Sequence, residues 1–163
     1  MKSEPETYEA MLNRAMWYLG RRDYGTQELR QKLLRPRPDK PRPDGDICGQ
    51  VIARLGELGL LDDARMAQRL AESLSNKGYA ARGIAYELRR RGLAEEPELP
   101  VEDIERLAEL LEKKYAPRLR DERGRRGVYQ ALLRRGFSHT DLRRAMREYL
   151  EENRYGEEGF EDG

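Results

Sequence analysis

The sequence is short of almost everything that would mark an enzyme or a disulfide-framed secreted domain. There is one cysteine, Cys48, so no internal disulfide can form, and one histidine, His139, with no second histidine near it to share a metal. Phenylalanine occurs twice and tryptophan once, and aromatics make up 7% of the chain, too few for one thick aromatic core. No apolar run approaches the roughly 20 residues of a membrane span, and the start, Met1-Lys2-Ser3-Glu4-Pro5, has no hydrophobic signal region. The expectation is a soluble, cytoplasmic protein. No glycine-rich phosphate loop, metal-ligand spacing or nucleophile elbow is present, so no cofactor and no catalytic residue is expected. Adjacent acids such as Asp62-Asp63 and Glu95-Glu96 read as caps and solvated loop, because an acid–base pair needs a cleft.

What fills the 163 residues is charge, 39% of the chain, with a net value of only +1. The total hides a block pattern. Arg118 to Arg147 holds ten arginines against three acids, Glu95 to Glu112 eight acids against one arginine, and Glu151 to the end six acids against one arginine. Alternating blocks can steer a partner while the chain stays near neutral.

The apolar residues follow a helical period. Tyr8, Met11, Leu12, Ala15, Met16 and Leu19 predict a helix over about 7–22, and Leu29, Leu33 and Leu34 a second, capped by Thr26. Pro36, Pro38, Pro41 and Pro43 make 36–43 an exposed, stiff loop. A third helix ends near Leu58 with Gly59 as its stop and Leu60 folding back. Further helices are predicted at about 63–77, 81–91, 101–115, 125–135 and 139–152, with 116–124 a basic loop and Ser138 opening the last helix.

The second helices align with one another. Leu29-x-x-x-Leu33 follows Tyr24 by five residues, Ile84-x-x-x-Leu88 follows Tyr79 by five, and Val128-x-x-x-Leu132 is the third copy. Arg90-Arg91-Gly92-Leu93 and Arg134-Arg135-Gly136-Phe137 continue the last two. This predicts tandem three-helix repeats: 1–60, 61–100 with its third helix shortened or missing, and 101–152, followed by an acidic disordered tail over 153–163. Stacking would bury a seam that one copy could not hide alone.

Gly59-Leu60-Leu61-Asp62-Asp63-Ala64-Arg65 resembles the hallmark between the first and second repeats of the RecX family. Gly78-Tyr79 with Ile84, Glu87-Leu88 and Arg91-Gly92 is similar to that family's second-repeat helix, and Arg135-Gly136-Phe137-Ser138 to its third. Met66 departs from the pattern, standing where an aromatic residue is usual. The resemblance implies an all-α, elongated and curved array. It implies a non-enzymatic regulator, most often an inhibitor, of the RecA recombinase. Such a protein binds the RecA–DNA filament in recombination and DNA repair, contacts single- or double-stranded DNA through its backbone, and acts as a monomer away from membranes. The alternative is a helical protein that binds the DNA backbone without regulating anything.

Candidate contact residues are the arginine groups Arg89, Arg90 and Arg91; Arg125 and Arg126; Arg134 and Arg135; and Arg143 and Arg144. Guanidinium suits phosphate and carboxylate because its planar fork makes two parallel hydrogen bonds. Arginine in a last helical turn can instead serve the helix dipole, and Arg144 can pair with Glu148. Arg125 and Arg126 open a helix, where the dipole disfavours cations, so a partner is the more natural explanation there.

Overall fold

A computed structural model describes residues 4–94, 96–99 and 101–161, with the backbone alone for 155–161. The chain is all-α, with eight α-helices in the order α1 (Tyr8–Arg21), α2 (Thr26–Leu34), α3 (Gly45–Glu57), α4 (Asp63–Asn76), α5 (Ala81–Arg90), α6 (Asp103–Leu110), α7 (Glu122–Arg134) and α8 (His139–Glu161). Among the described residues no helix is long and apolar enough to cross a membrane. The residues divide into two compact units, 1–69 with 88–97 and 70–87 with 98–163. The stretch 61–100, expected as a repeat of its own, is divided between them. Among its described residues no helix lies between Arg90 and Asp103. Two helices alone cannot enclose a core, so each half joins the unit that covers it. Glu95 and Pro100 of that stretch lie outside the described residues.

In the first unit, Met11, Ala15, Leu29, Leu33, Cys48, Val51, Ile52, Leu55 and Leu61 form the core. Met16 and Leu58, expected to point inward, are about half exposed at 46% and 47%. Ile52 is buried, and the backbone folds back through both Leu60 N and Leu61 N onto Leu55 O, at 2.9 and 3.3 Å, but it is the Leu61 side chain that is buried while Leu60 stays exposed. Burial pushes the Cys48 thiol above its usual range and leaves it an inert apolar filler. The proline loop is tied down by one bridge, Pro5 to Arg42, in which Arg42 N donates to Glu4 O at 2.9 Å and Glu6 N to Arg42 O at 2.8 Å. That bridge carries Glu6 into the core, 3% exposed, where Arg14 meets it bidentately at 2.7 and 2.9 Å and also donates to Leu33 O. The hydrogen bond to Glu6 holds the Arg14 guanidinium above its ordinary pKa.

In the second unit, α6 runs on without a break into a π-helical turn, Leu111–Tyr115, and a 3₁₀ turn, Ala116–Leu119. The expected basic loop therefore shrinks to Arg120 and Asp121, because Leu119 is buried and anchors the turn. Asp121 caps α7 through Gly124 N at 2.6 Å, and Ser138 caps α8 through Asp141 N at 3.1 Å. The stretch 153–161, expected as disordered, continues α8, since its glutamates favour helix. Residues 162 and 163 of that tail lie outside the described residues.

Each unit contains the same junction. In the first, Thr26 N at the start of α2 donates to Asp63 Oδ1 at 2.8 Å. In the second, Ala81 N at the start of α5 donates to Asp103 Oδ1 at 3.0 Å. Either way a second helix has an orphan N–H satisfied by the first residue of the helix that opens the next repeat. The reach of 37 and 22 residues hides this cap from local sequence rules. Thr26, expected to be the cap of α2, is its first helical residue, and Gly25 holds the capping position.

The far side of each junction is a glycine-ended helix. Leu93 N closes onto Leu88 O at 2.9 Å and Phe137 N onto Leu132 O at 3.3 Å, which buries Leu93 and Phe137. Gly92 (φ +74) faces Gln27, and Gly136 (φ +98) faces Gly83, where a Cβ would lie 2.4 Å from Gly83 N. Arg135 O then accepts from Ala80 N at 3.0 Å. Only residues without side chains let the two backbones come this close.

Gly136→Ala is expected to destabilise the protein by about 2–4 kcal/mol, the sum of a left-handed backbone and an overpacked contact. Gly49→Ala, in α3 with open space around its Cβ, is expected to gain about 0.5–1 kcal/mol from helix propensity. Urea unfolding of the two variants checks both signs.

Candidate functional site

Each junction leaves an open groove beside it, and the two grooves occupy equivalent positions. In the first unit the groove has a volume of about 530 Å³ and is lined by Gln27 and Gln31 of α2, by Arg22, and by Arg89, Arg90 and Arg91 at the end of α5. In the second it has a volume of about 610 Å³. Arg82 and Tyr86 of α5 stand there where Gln27 and Gln31 stand in the first, 55 residues earlier, and Arg134 stands where Arg90 does.

The nine candidate arginines fall into distinct groups. Arg89, Arg90 and Arg91 come together in the first groove and are exposed. Among the described residues Arg89 and Arg91 have no ion pair. Arg22 beside them is already engaged, 3.8 Å over the Tyr24 ring and 3.4 Å from Glu28. Arg134 is exposed in the second groove. Arg135 is turned back into the fold: it donates to Lys77 O beyond the end of α4 and lies 5.3 Å over the Tyr79 ring. Arg143 lines a separate shallow groove with Met146 and Arg147. Arg144 pairs with Glu148 at 3.0 Å.

Arg125 and Arg126 have local partners that the sequence does not suggest. Arg125 donates to Leu119 O at 3.1 Å, satisfying a carbonyl of the 3₁₀ turn, and Arg126 pairs with Glu122 at 3.1 Å one turn away. A helix start that disfavours cations is offset here by those bonds. Arg106, not singled out from the sequence, does similar work by holding Ser75 O at the end of α4. Sequence reasoning also passed over Gln27, Gln31, Arg82 and Tyr86. Their signal lies in the repeat itself, since aligning the outward positions of the second helices, and not only the leucines, pairs them.

His139 is bonded to Tyr129, with Nδ1 2.7 Å from the hydroxyl oxygen. Among the described residues no group of three or more His, Cys, Asp or Glu could hold a metal ion.

The junction geometry coincides with the part of the chain that comparison singles out. Residues 62–96 match the profile described as RecX, second three-helix domain. The regulatory protein RecX of Salmonella paratyphi A is 32% identical over 165 residues, spanning 91% of this chain and 99% of that protein. The chain belongs to the RecX family. The regulatory protein RecX of Shigella dysenteriae serotype 1 is 37% identical over 99 residues, which is 58% of this chain and 60% of that protein. A crystal structure of RecX from Lactobacillus salivarius shares the fold, with a TM-score of 0.63 at 20% identity over 86% of this chain and 95% of that one. Among the described residues, those matched to the second three-helix domain carry α4 and α5 as their helices.

The groups differ in what their loss should do. Arg89→Ala with Arg91→Ala should leave stability within about 0.5 kcal/mol, as for surface residues, whereas Arg125→Ala should cost about 1 kcal/mol through the freed Leu119 carbonyl. Thermal or urea unfolding distinguishes them, and equal losses would show that the first-groove arginines are structural.

Proposed function

We propose that this chain is a regulator of the RecA recombinase, acting as an inhibitor. It binds the RecA–DNA filament and slows its assembly, its ATP hydrolysis and its strand exchange. Membership of the RecX family supports the partner, and the relatives' name, regulatory protein, supports the role. The observation that carries the reading is the convergence of Arg89, Arg90 and Arg91 in one open groove. Arg89 and Arg91 stand exposed there with no ion pair among the described residues, able to meet an anionic surface without first breaking the fold. Phosphates and carboxylates are the groups such forks recognise, and a filament offers both. The protein works as a monomer in the cytoplasm, through binding alone.

A second reading, backbone binding to DNA without recombinase regulation, draws on the same exposed arginines. Each phosphate contact releases counterions, so affinity would fall with salt at a slope of roughly 0.7–0.9 per contact.

The test is DNA-dependent ATP hydrolysis by the cognate RecA, with this protein well below stoichiometric ratio. Strong suppression is expected. Suppression only at levels that coat the DNA would favour the second reading, and unchanged hydrolysis would contradict the first. In the same assay, Arg89→Ala with Arg91→Ala and Arg134→Ala should weaken suppression and flatten its salt dependence.

A further inference from the structure

The two junction grooves share a position but not a chemistry. At equivalent places on the second helices, Gln27 and Gln31 in the first unit become Arg82 and Tyr86 in the second. Tyr86 is 58% exposed and belongs to neither core. Tyr79 nearby is engaged by Arg135, and Tyr129 by His139. Tyr86 is the lining tyrosine whose ring the fold leaves uncovered. Arg82 and Arg134 line the same groove, both exposed, against one carboxylate in the lining, Glu87. An uncovered aromatic ring in a groove that also carries guanidinium groups suits a base by stacking and its neighbouring phosphates by charge. Duplex bases keep their faces stacked on each other and cannot use it. A groove of about 610 Å³ lies within the size range of sites for small molecules, enough for one nucleotide unit.

We infer that the groove of the second unit is a subsite for single-stranded nucleic acid, with Tyr86 stacking on a base while Arg82 and Arg134 meet the adjoining phosphates. This rests on the nucleic-acid contact proposed above and adds a strand preference to it. The groove of the first unit, with glutamines in place of the ring and one arginine, contributes charge without that preference.

The experiment uses the full chain and no recombinase, with binding to a short labelled oligothymidylate and to a duplex of equal length followed by fluorescence anisotropy. Tyr86→Ala is expected to bind the oligothymidylate at least about fivefold more weakly, with duplex affinity changed less than about twofold. Tyr86→Phe should bind both like the parent, and thermal unfolding of the variants should match it, since the ring is exposed. If the parent chain does not bind the oligothymidylate, the nucleic-acid contact itself fails, and this assignment with it. If the parent binds but Tyr86→Ala loses nothing, or loses equally on both forms, the stacking subsite alone is overturned. Polyglutamate competing as strongly as the oligonucleotide would identify an acidic polypeptide as the occupant and overturn the proposal. Suppression of ATP hydrolysis is read separately and can survive any of these results.

Discussion

The close approach of a glycine-ended helix to the start of an earlier second helix is the constraint on which the rest depends. Gly136 stands against Gly83, and Arg135 O accepts from Ala80 N across that contact. In the other unit Gly92 stands against Gln27, with Leu93 buried beside Gly25. A methyl group on Gly136 would collide with the Gly83 backbone, removing the hydrogen bond from Ala80 N to Arg135 O and opening the packing around Phe137, whereas one on Gly92 would meet the Gln27 side chain. Of the side chains that precede each glycine, Arg135 turns back toward the end of α4, while Arg134 and, before Gly92, Arg89, Arg90 and Arg91 are exposed at the rim. A packing requirement and a cationic groove thus come from the same few residues.

The same geometry sorts the arginines by task. Arg135 and Arg106 turn back to the end of α4, where they meet carbonyl groups that have no helical partner. Arg125 does this for the 3₁₀ turn, and Arg14 neutralises the buried Glu6. Removing one member of a buried pair leaves the other charge unmatched, so Arg14 belongs to the fold rather than to any partner. Arg89, Arg91 and Arg134 reach solvent instead. The block charge pattern of the sequence is thus the sum of two populations, one internal and one available for binding.

Helix positions were legible in the sequence because they rest on local rules. The 3.6-residue period placed the helix starts within a few residues, although α8 runs to Glu161, well past its expected end near 152, and the recurring Arg-Arg-Gly-apolar ends lie at the junctions. What could not be read depends on distant partners. Asp63 and Asp103 look like caps of their own helices, yet each reaches back to the start of another. Glu6 looks like an exposed residue before a helix until the bridge to Arg42 carries it inward. Leu119 hid in a basic stretch because one apolar residue has no period. The local partner of Arg125 is hidden for a similar reason, as the carbonyl it meets belongs to a turn the sequence does not announce.

The junction ends are the surfaces proposed to meet an anionic filament. Amide hydrogen exchange of this chain, alone and with RecA assembled on single-stranded DNA, tests this most directly. Slowed exchange concentrated over Arg82–Leu93 and Arg134–His139 is the predicted result. Slowing confined to α3, with those two segments unchanged, would contradict it.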